Sequence, residues 1–193
     1  VNFYISVDGR KDTHDAIRGK GCHDKIKKHA NRPDLKIHVS MVINKMNYQD
    51  IECFIEEWKD VGVKGCLFQM YTPIKGLKND DLWPGWKLRD EILDKLLRLK
   101  DEKYGDFIGV PSLVLKLMKS DKCKEVTRNC IFREMSFCLD PQGQLKKPCM
   151  MGPQADCLRC GCMLPFHMRV LEDKWLMARE LFTSLRRKIG KKA

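Results

Sequence analysis

The sequence predicts an α/β protein, a parallel sheet with crossover helices followed by a cysteine-rich β-hairpin and a closing helix. Three observations carry this. Runs rich in β-branched and aromatic residues, Val1 to Val7, Leu35 to Ile43 and Val63 to Tyr71, alternate with helical stretches, the pattern of a parallel sheet. Lys87 to Tyr104 repeats apolar residues at helical spacing. The last third gathers Cys130, Cys138, Cys149, Cys157, Cys160 and Cys162 around the turn sequence Asp140-Pro141-Gln142-Gly143. Three strands are too few to close an eight-stranded barrel, so they form half of a (β/α) barrel or one side of an open α/β sheet.

Taken in order, Val1 to Val7 alternates and is stopped by Asp8-Gly9. The stretch from Asp8 to Gly19 reads as a loop, and Gly21 to Ala30 as a short polar helix. After the second strand, Asn47 is placed to cap a helix over Tyr48 to Val61, with Ile51, Phe54, Ile55 and Trp58 on one face and Gly62 as its stop. Thr72-Pro73 closes the third strand. Asp80 to Trp86 is a turn-rich connector, and the long helix after it buries Leu88, Ile92, Leu96 and Leu99. Leu113 to Met118 is a shorter helix. Ile131 to Leu139 and Leu145 to Cys149 flank the Pro-Gly turn as a hairpin, because Pro presets φ and Gly accepts a positive one. Phe166 to Arg187 closes the chain with Leu171, Trp175, Ala178 and Leu181 or Phe182 turned inward. Three segments result: 1–79, the sheet; 80–122, connecting helices; and 123–193, the cysteine-rich region.

At 193 residues with 43% hydrophobic content, the chain has enough apolar surface for one good core. No apolar run approaches a membrane span and no secretion signal leads the sequence, so a cytoplasmic protein without stable membrane insertion is expected. Ten cysteines then point to reduced thiols and metal ligation more than to disulfides. Cys22, Cys53 and Cys66, scattered singly, read as small buried hydrophobes. Of the net charge of +11, a large part comes from the last twenty residues, with seven basic side chains against one acid. Arg186, Arg187, Lys188, Lys191 and Lys192 read as a solvated helix end, and nucleic-acid binding is not expected. Because the chain enters a strand-like run within three residues of Val1, it is expected to be a fragment with a segment missing upstream.

Thiolates two or three residues apart on a tight turn, as in Cys157-Leu158-Arg159-Cys160-Gly161-Cys162, converge on one soft cation or cluster. Zinc and iron-sulfur both suit such donors. Polar residues also gather at the carboxyl ends of the strands, where parallel α/β sheets place ligands: Ser6 and Asp8, Ser40 and Asn44, and Gln69, Tyr71 and Thr72.

Ser6 to Gly9 (Ser-Val-Asp-Gly) and His14-Asp15-Ala16-Ile17-Arg18-Gly19 resemble the fourth strand, and the string after it, of radical S-adenosylmethionine enzymes. Val42-Ile43-Asn44 and Thr72-Pro73 resemble the fifth and sixth strand ends, so the resemblance covers residues 1 to 76. The cysteine order around the hairpin, Cys130, Gly143, Cys149, Cys157 and Cys160, is similar to the SPASM or twitch extensions of that family, here in a single-cluster version.

The resemblance implies a partial (β/α) TIM-like barrel and an oxidoreductase. Ser6, Asp8 and Asn44 would face the ribose or methionine part of S-adenosylmethionine, Arg18 its carboxylate, and the backbone from Gln69 to Tyr71 its adenine. An auxiliary [4Fe-4S] cluster would be held by ligands drawn from Cys130, Cys149, Cys157, Cys160 and Cys162, with Cys123 an alternative ligand and Cys138 a buried thiol. The charge of those thiolates would be offset in part by Lys146, Lys147 and Arg159.

In the family a reduced cluster passes an electron to the sulfonium, and the radical so formed abstracts a substrate hydrogen. Implied partners are an electron donor such as a ferredoxin or flavodoxin, and a small-molecule, peptide or lipid-precursor substrate. The family's Cys-x-x-x-Cys-x-x-Cys motif is absent here, so a second [4Fe-4S] cluster is expected upstream and the chain alone is expected not to cleave S-adenosylmethionine. The rival from composition and spacing is a zinc-stabilised binding module touching nucleic acid through its basic tail. A third reading, a hydrolase or transferase with a cysteine nucleophile, finds no His-Cys pair in an activating context; His14, His23, His29, His38 and His167 have no assigned role.

Overall fold

The computed structural model describes residues 1–77 and 80–190, with side chains to 186. Lys78 and Asn79, which end the first expected segment, and Lys191, Lys192 and the side chains of Arg187 and Lys188 in the basic tail lie outside the described residues. The chain forms two compact units. The first comprises Val1–Met70 and Lys95–Val110, the second Tyr71–Asp94 and Pro111–Ala193.

The first unit is a three-stranded parallel sheet in the order β1 (Asn2–Ser6), β2 (Lys36–Ile43), β3 (Cys66–Met70). Ser6 pairs with Ser40, and Val42 with Gln69. Cys66 of β3 also makes an isolated parallel bridge with Ile108. Burial alternates strictly along β2 and β3. Val39, Met41, Ile43, Cys66, Phe68 and Met70 form the buried face. Helix α3 (Ile51–Val61) covers that face with Ile51, Phe54, Ile55 and Trp58, all fully buried, as the spacing predicts. Phe54 meets Phe68 edge-on at 5.8 Å. The opposite face carries Ser6, Ser40 and Gln69, with Tyr4 stacked on His38 at 5.2 Å.

The stretch after β1 is a helix, α1 (Lys11–Arg18), followed by α2 (Cys22–Ala30); the expected loop is confined to Val7 to Arg10. α1 has no apolar stripe, and the side chain it buries is His14. Gly9 is required at the bend, with φ +113 and space for a Cβ blocked by Asp50 Oδ2 at 2.7 Å. Asn47 stands at the start of a short 3₁₀ turn, Tyr48–Asp50, but its side chain does not cap it. Its amide turns back to the strand ends, donating to the Val42 carbonyl at 2.9 Å and accepting from Asn44 N–H at 2.8 Å. Cys66 is buried as expected, whereas Cys22 is half-buried and Cys53 is exposed, because Cys53 falls outside the α3 stripe.

α4 (Gly85–Leu99) spans the point where the chain divides and continues into a wide π turn, Lys100–Tyr104. The buried Lys100 donates there to the carbonyls of Gly105 and Ile108. In the second unit, α5 (Ser112–Leu117), α6 (Ser120–Arg128) and α8 (Leu164–Glu172) pack through Val114, Leu115, Met118, Val126, Phe166 and Val170. α6 was not anticipated, being polar apart from Cys123, Val126 and Thr127 on its buried side.

Two further expectations are corrected in this unit. Ile131–Met135 is a short helix, α7, and the hairpin reduces to the Asp140 turn and a single bridge, Leu139 with Leu145. Leu139 and Leu145 are about half exposed, so no second layer rewards longer strands there. The closing helix is broken at Asp173, whose carboxylate accepts from Trp175 and Leu176 N–H and starts α9 (Lys174–Gly190). Leu171, Trp175, Leu181 and Phe182, expected inward, are 50 to 83% exposed. Among the described residues no helix is long and apolar enough to cross a membrane.

Candidate functional site

At the strand ends of the first unit, the residues from Asp8 to Gly19 are mutually engaged. Asp8 is 4% exposed. Its carboxylate accepts from Arg18 Nε at 2.6 Å and from Val42 N–H at 3.0 Å, and its own N–H donates to His14 Nδ1 at 3.0 Å. Asp15 accepts from the N–H groups of Gly21 and His23 and so starts α2. Those two bonds hold its carboxyl below the usual range. Gly19 ends α1 with φ +110.

Of the six predicted cofactor residues, Asp8 and Arg18 are in direct contact, and Asn44 joins them through Asn47, which also donates to the Asp8 carbonyl. The Asn44 side chain is used in its own turn, accepting from Met46 N–H. Arg18 keeps 39% of its side chain exposed. Ser6 and Gln69 lie on the open face of the sheet, on strands separated by β2. Tyr71 belongs to the second unit, where burial and then Asp80 push its hydroxyl pKa up.

His14 is fully buried, and among the described residues its Nε2 has no hydrogen-bond partner. Burial, then the neighbouring His23 ring at 5.7 Å, hold its pKa below the ordinary imidazole value, against the opposing pull of Asp8. The unfolded chain takes up a proton as pH falls through about 6.5, whereas folded His14 resists it until lower pH. Stability is therefore full above that value and declines below it. Urea midpoints are expected to be lower at pH 5.5 than at pH 7.5, with the difference reduced in His14→Gln.

In the second unit, Cys130, Cys149, Cys157, Cys160 and Cys162 line one cavity of ≈ 20 Å³ together with Thr127, Phe132, Arg133 and Pro165. Exposed Met150 and Met151 complete its wall. The five thiols arrive from the start of α7, the end of the hairpin and the turn before α8. A 3₁₀ turn, Cys157–Arg159, is started by Asp156, whose carboxylate accepts from Leu158 N–H and pairs with Arg159 at 2.7 Å. Gly161 N–H donates to Thr72 Oγ1 at 2.8 Å, fixing the backbone between the last two cysteines.

Burial raises the thiol pKa values of Cys130, Cys160 and Cys162, Cys160 up to about 12, and neighbouring thiols add to each shift. Cys123 lies behind the turn, its Sγ 3.6 Å from the Cys160 carbonyl, and Cys138 is not part of the cavity lining. Among the described residues no three His, Cys, Asp or Glu side chains are already drawn together closely enough to hold a metal ion. An open groove of ≈ 560 Å³ shares Arg133 and Cys157 with the cavity and carries Lys75, Lys147 and Asp156.

Sequence reasoning missed Arg89, which lies fully buried in α4 against the cysteine turn. The signal available was the pair Trp83 and Trp86, six and three residues ahead of it, whose rings lie close to its guanidinium. The chain matches no family model, no curated protein and no solved structure.

Proposed function

We propose that the chain is part of a radical S-adenosylmethionine enzyme, contributing cofactor-binding strand ends in the first unit and a thiolate-bound auxiliary [4Fe-4S] centre in the second. The observation that carries this is the five cysteines lining one cavity. Sulfur is its sole metal-ligating chemistry among the described residues, which suits a soft metal centre. A core larger than this space would need the flexible, exposed Met150 and Met151 to move aside. When bound, such a cluster supplies one-electron chemistry or a coordination point for substrate.

Within this reading the polar face of the parallel sheet is the inner wall of a partial barrel. Asp8 holds Arg18 and the end of β2 in register, and Arg18 offers its exposed portion to a carboxylate. An electron-donor protein and a small-molecule, peptide or lipid-precursor substrate are the partners of this reading. The chain carries no Cys-x-x-x-Cys-x-x-Cys motif, so the cleaving cluster is not held by these residues.

A zinc-stabilised module is the second reading, favoured by the ≈ 20 Å³ cavity, which has room for a single ion. Anaerobic purification separates the two. Brown protein with iron and acid-labile sulfide in equal amounts is expected; colourless protein with stoichiometric zinc and no sulfide would overturn the cluster reading.

A further inference from the structure

Arg89 is 0% exposed. Its Nε donates to the Met118 carbonyl at 3.0 Å, and its terminal nitrogens donate to the carbonyls of Arg159 at 3.3 Å and Cys160 at 2.9 Å and to Cys123 Sγ at 3.6 Å. The rings of Trp83 and Trp86 have their centres 5.8 and 5.2 Å from its guanidinium carbon. Asp90, the adjacent carboxylate, is bound to Ser120. Among the described residues, no carboxylate comes within ion-pair distance of Arg89.

Burying a guanidinium without a counter-ion is costly, and carbonyl dipoles with aromatic faces offset part of that cost. The carbonyls Arg89 holds belong to the turn that presents Cys157, Cys160 and Cys162 to the cavity. A metal group held by several thiolates is net negative, because the thiolates outweigh the charge of the ion or core. Such a group would lie across that turn from Arg89.

We propose that Arg89 is a positioning residue for the thiolate centre: its planar fork fixes the cysteine turn, and its charge offsets the net negative charge of the loaded group. Cys123 belongs to this anchor and is not a ligand. The inference rests on the metal-centre reading above. It assigns the offset of charge to a buried arginine in addition to the more exposed Lys147 and Arg159.

The test uses the full chain, reconstituted anaerobically with ferrous iron and sulfide, as wild type, Arg89→Lys and Arg89→Met, each checked for folding by circular dichroism. Bound iron, its release to a chelator and the reduction potential are measured. Arg89→Lys keeps the charge and loses the fork, so it should hold wild-type potential and release iron several-fold faster. Arg89→Met loses both, and its potential should fall by a tenfold change in the reduced-to-oxidised ratio, about 59 mV for one electron. Folded Arg89→Met with wild-type release and potential would overturn the inference. Should Arg89→Met fail to fold, Arg89→Lys with an unchanged release rate would overturn it equally. Wild-type protein that takes up neither iron nor zinc would instead overturn the metal-centre reading.

Discussion

Replacing Cys160 with serine is expected to cost the chain most of its bound metal, at least tenfold in occupancy against a competing chelator. Its sulfur lines the shared cavity, and its backbone carbonyl is held by Arg89, so a neighbouring donor has little freedom to take the place of the lost sulfur. Cys130, Cys149, Cys157 and Cys162 line the same cavity. Five sulfurs exceed the four that a tetrahedral ion or a cubane usually takes, so one of these four serine variants should retain substantial metal. Cys138→Ser is the control, expected to stay near wild-type loading because its sulfur does not line the cavity, whereas Cys123→Ser, in the Arg89 anchor, should release metal faster without losing a ligand. Metal content per chain, measured after anaerobic gel filtration, decides the series. Equal loss across all seven variants would point to misfolding and sink the assignment of ligands.

Asp8→Ala is expected to destabilise the first unit by about 2 to 4 kcal/mol, from the loss of a buried acceptor for Val42 N–H and of the partner of Arg18. Arg18→Ala should cost less, about 1 kcal/mol or below, because its side chain is 39% exposed and screened by solvent. Urea unfolding followed by circular dichroism measures both. The comparison has a functional edge. An Asp8 whose main effect is on stability, with Arg18 tolerant of replacement, is the pattern expected if the arginine's exposed part is reserved for a ligand. If Arg18→Ala unfolds the chain as readily as Asp8→Ala, the pair is purely a structural brace.

Much of the first unit was legible because its apolar pattern has the right period. The alternation in Leu35 to Ile43 and the stripe of Ile51, Phe54, Ile55 and Trp58 place both layers of the core. α1 and α6 escaped because they bury histidine, cysteine or threonine in place of an aliphatic stripe. The apolar stripe after Phe166 reads as inward because periodicity reports which residues share a face and not whether anything covers it. Asp173, a good helix starter, was the overlooked mark of the break. Among the cavity residues, spacing brought forward the five sulfurs that line it, since the turn and hairpin that gather them are local. Arg89 was invisible for the opposite reason: a charged residue in an amphipathic helix reads as solvent-facing, and its acceptors lie 29 to 71 residues away.

Five thiols lining so small a space share one weakness. Any two that oxidise to a disulfide withdraw two donors together, and the remainder are too few for a four-coordinate ion. Material exposed to oxygen before loading would therefore divide into receptive and sealed molecules, and partial occupancy in such a preparation would report its history of oxidation more than its affinity.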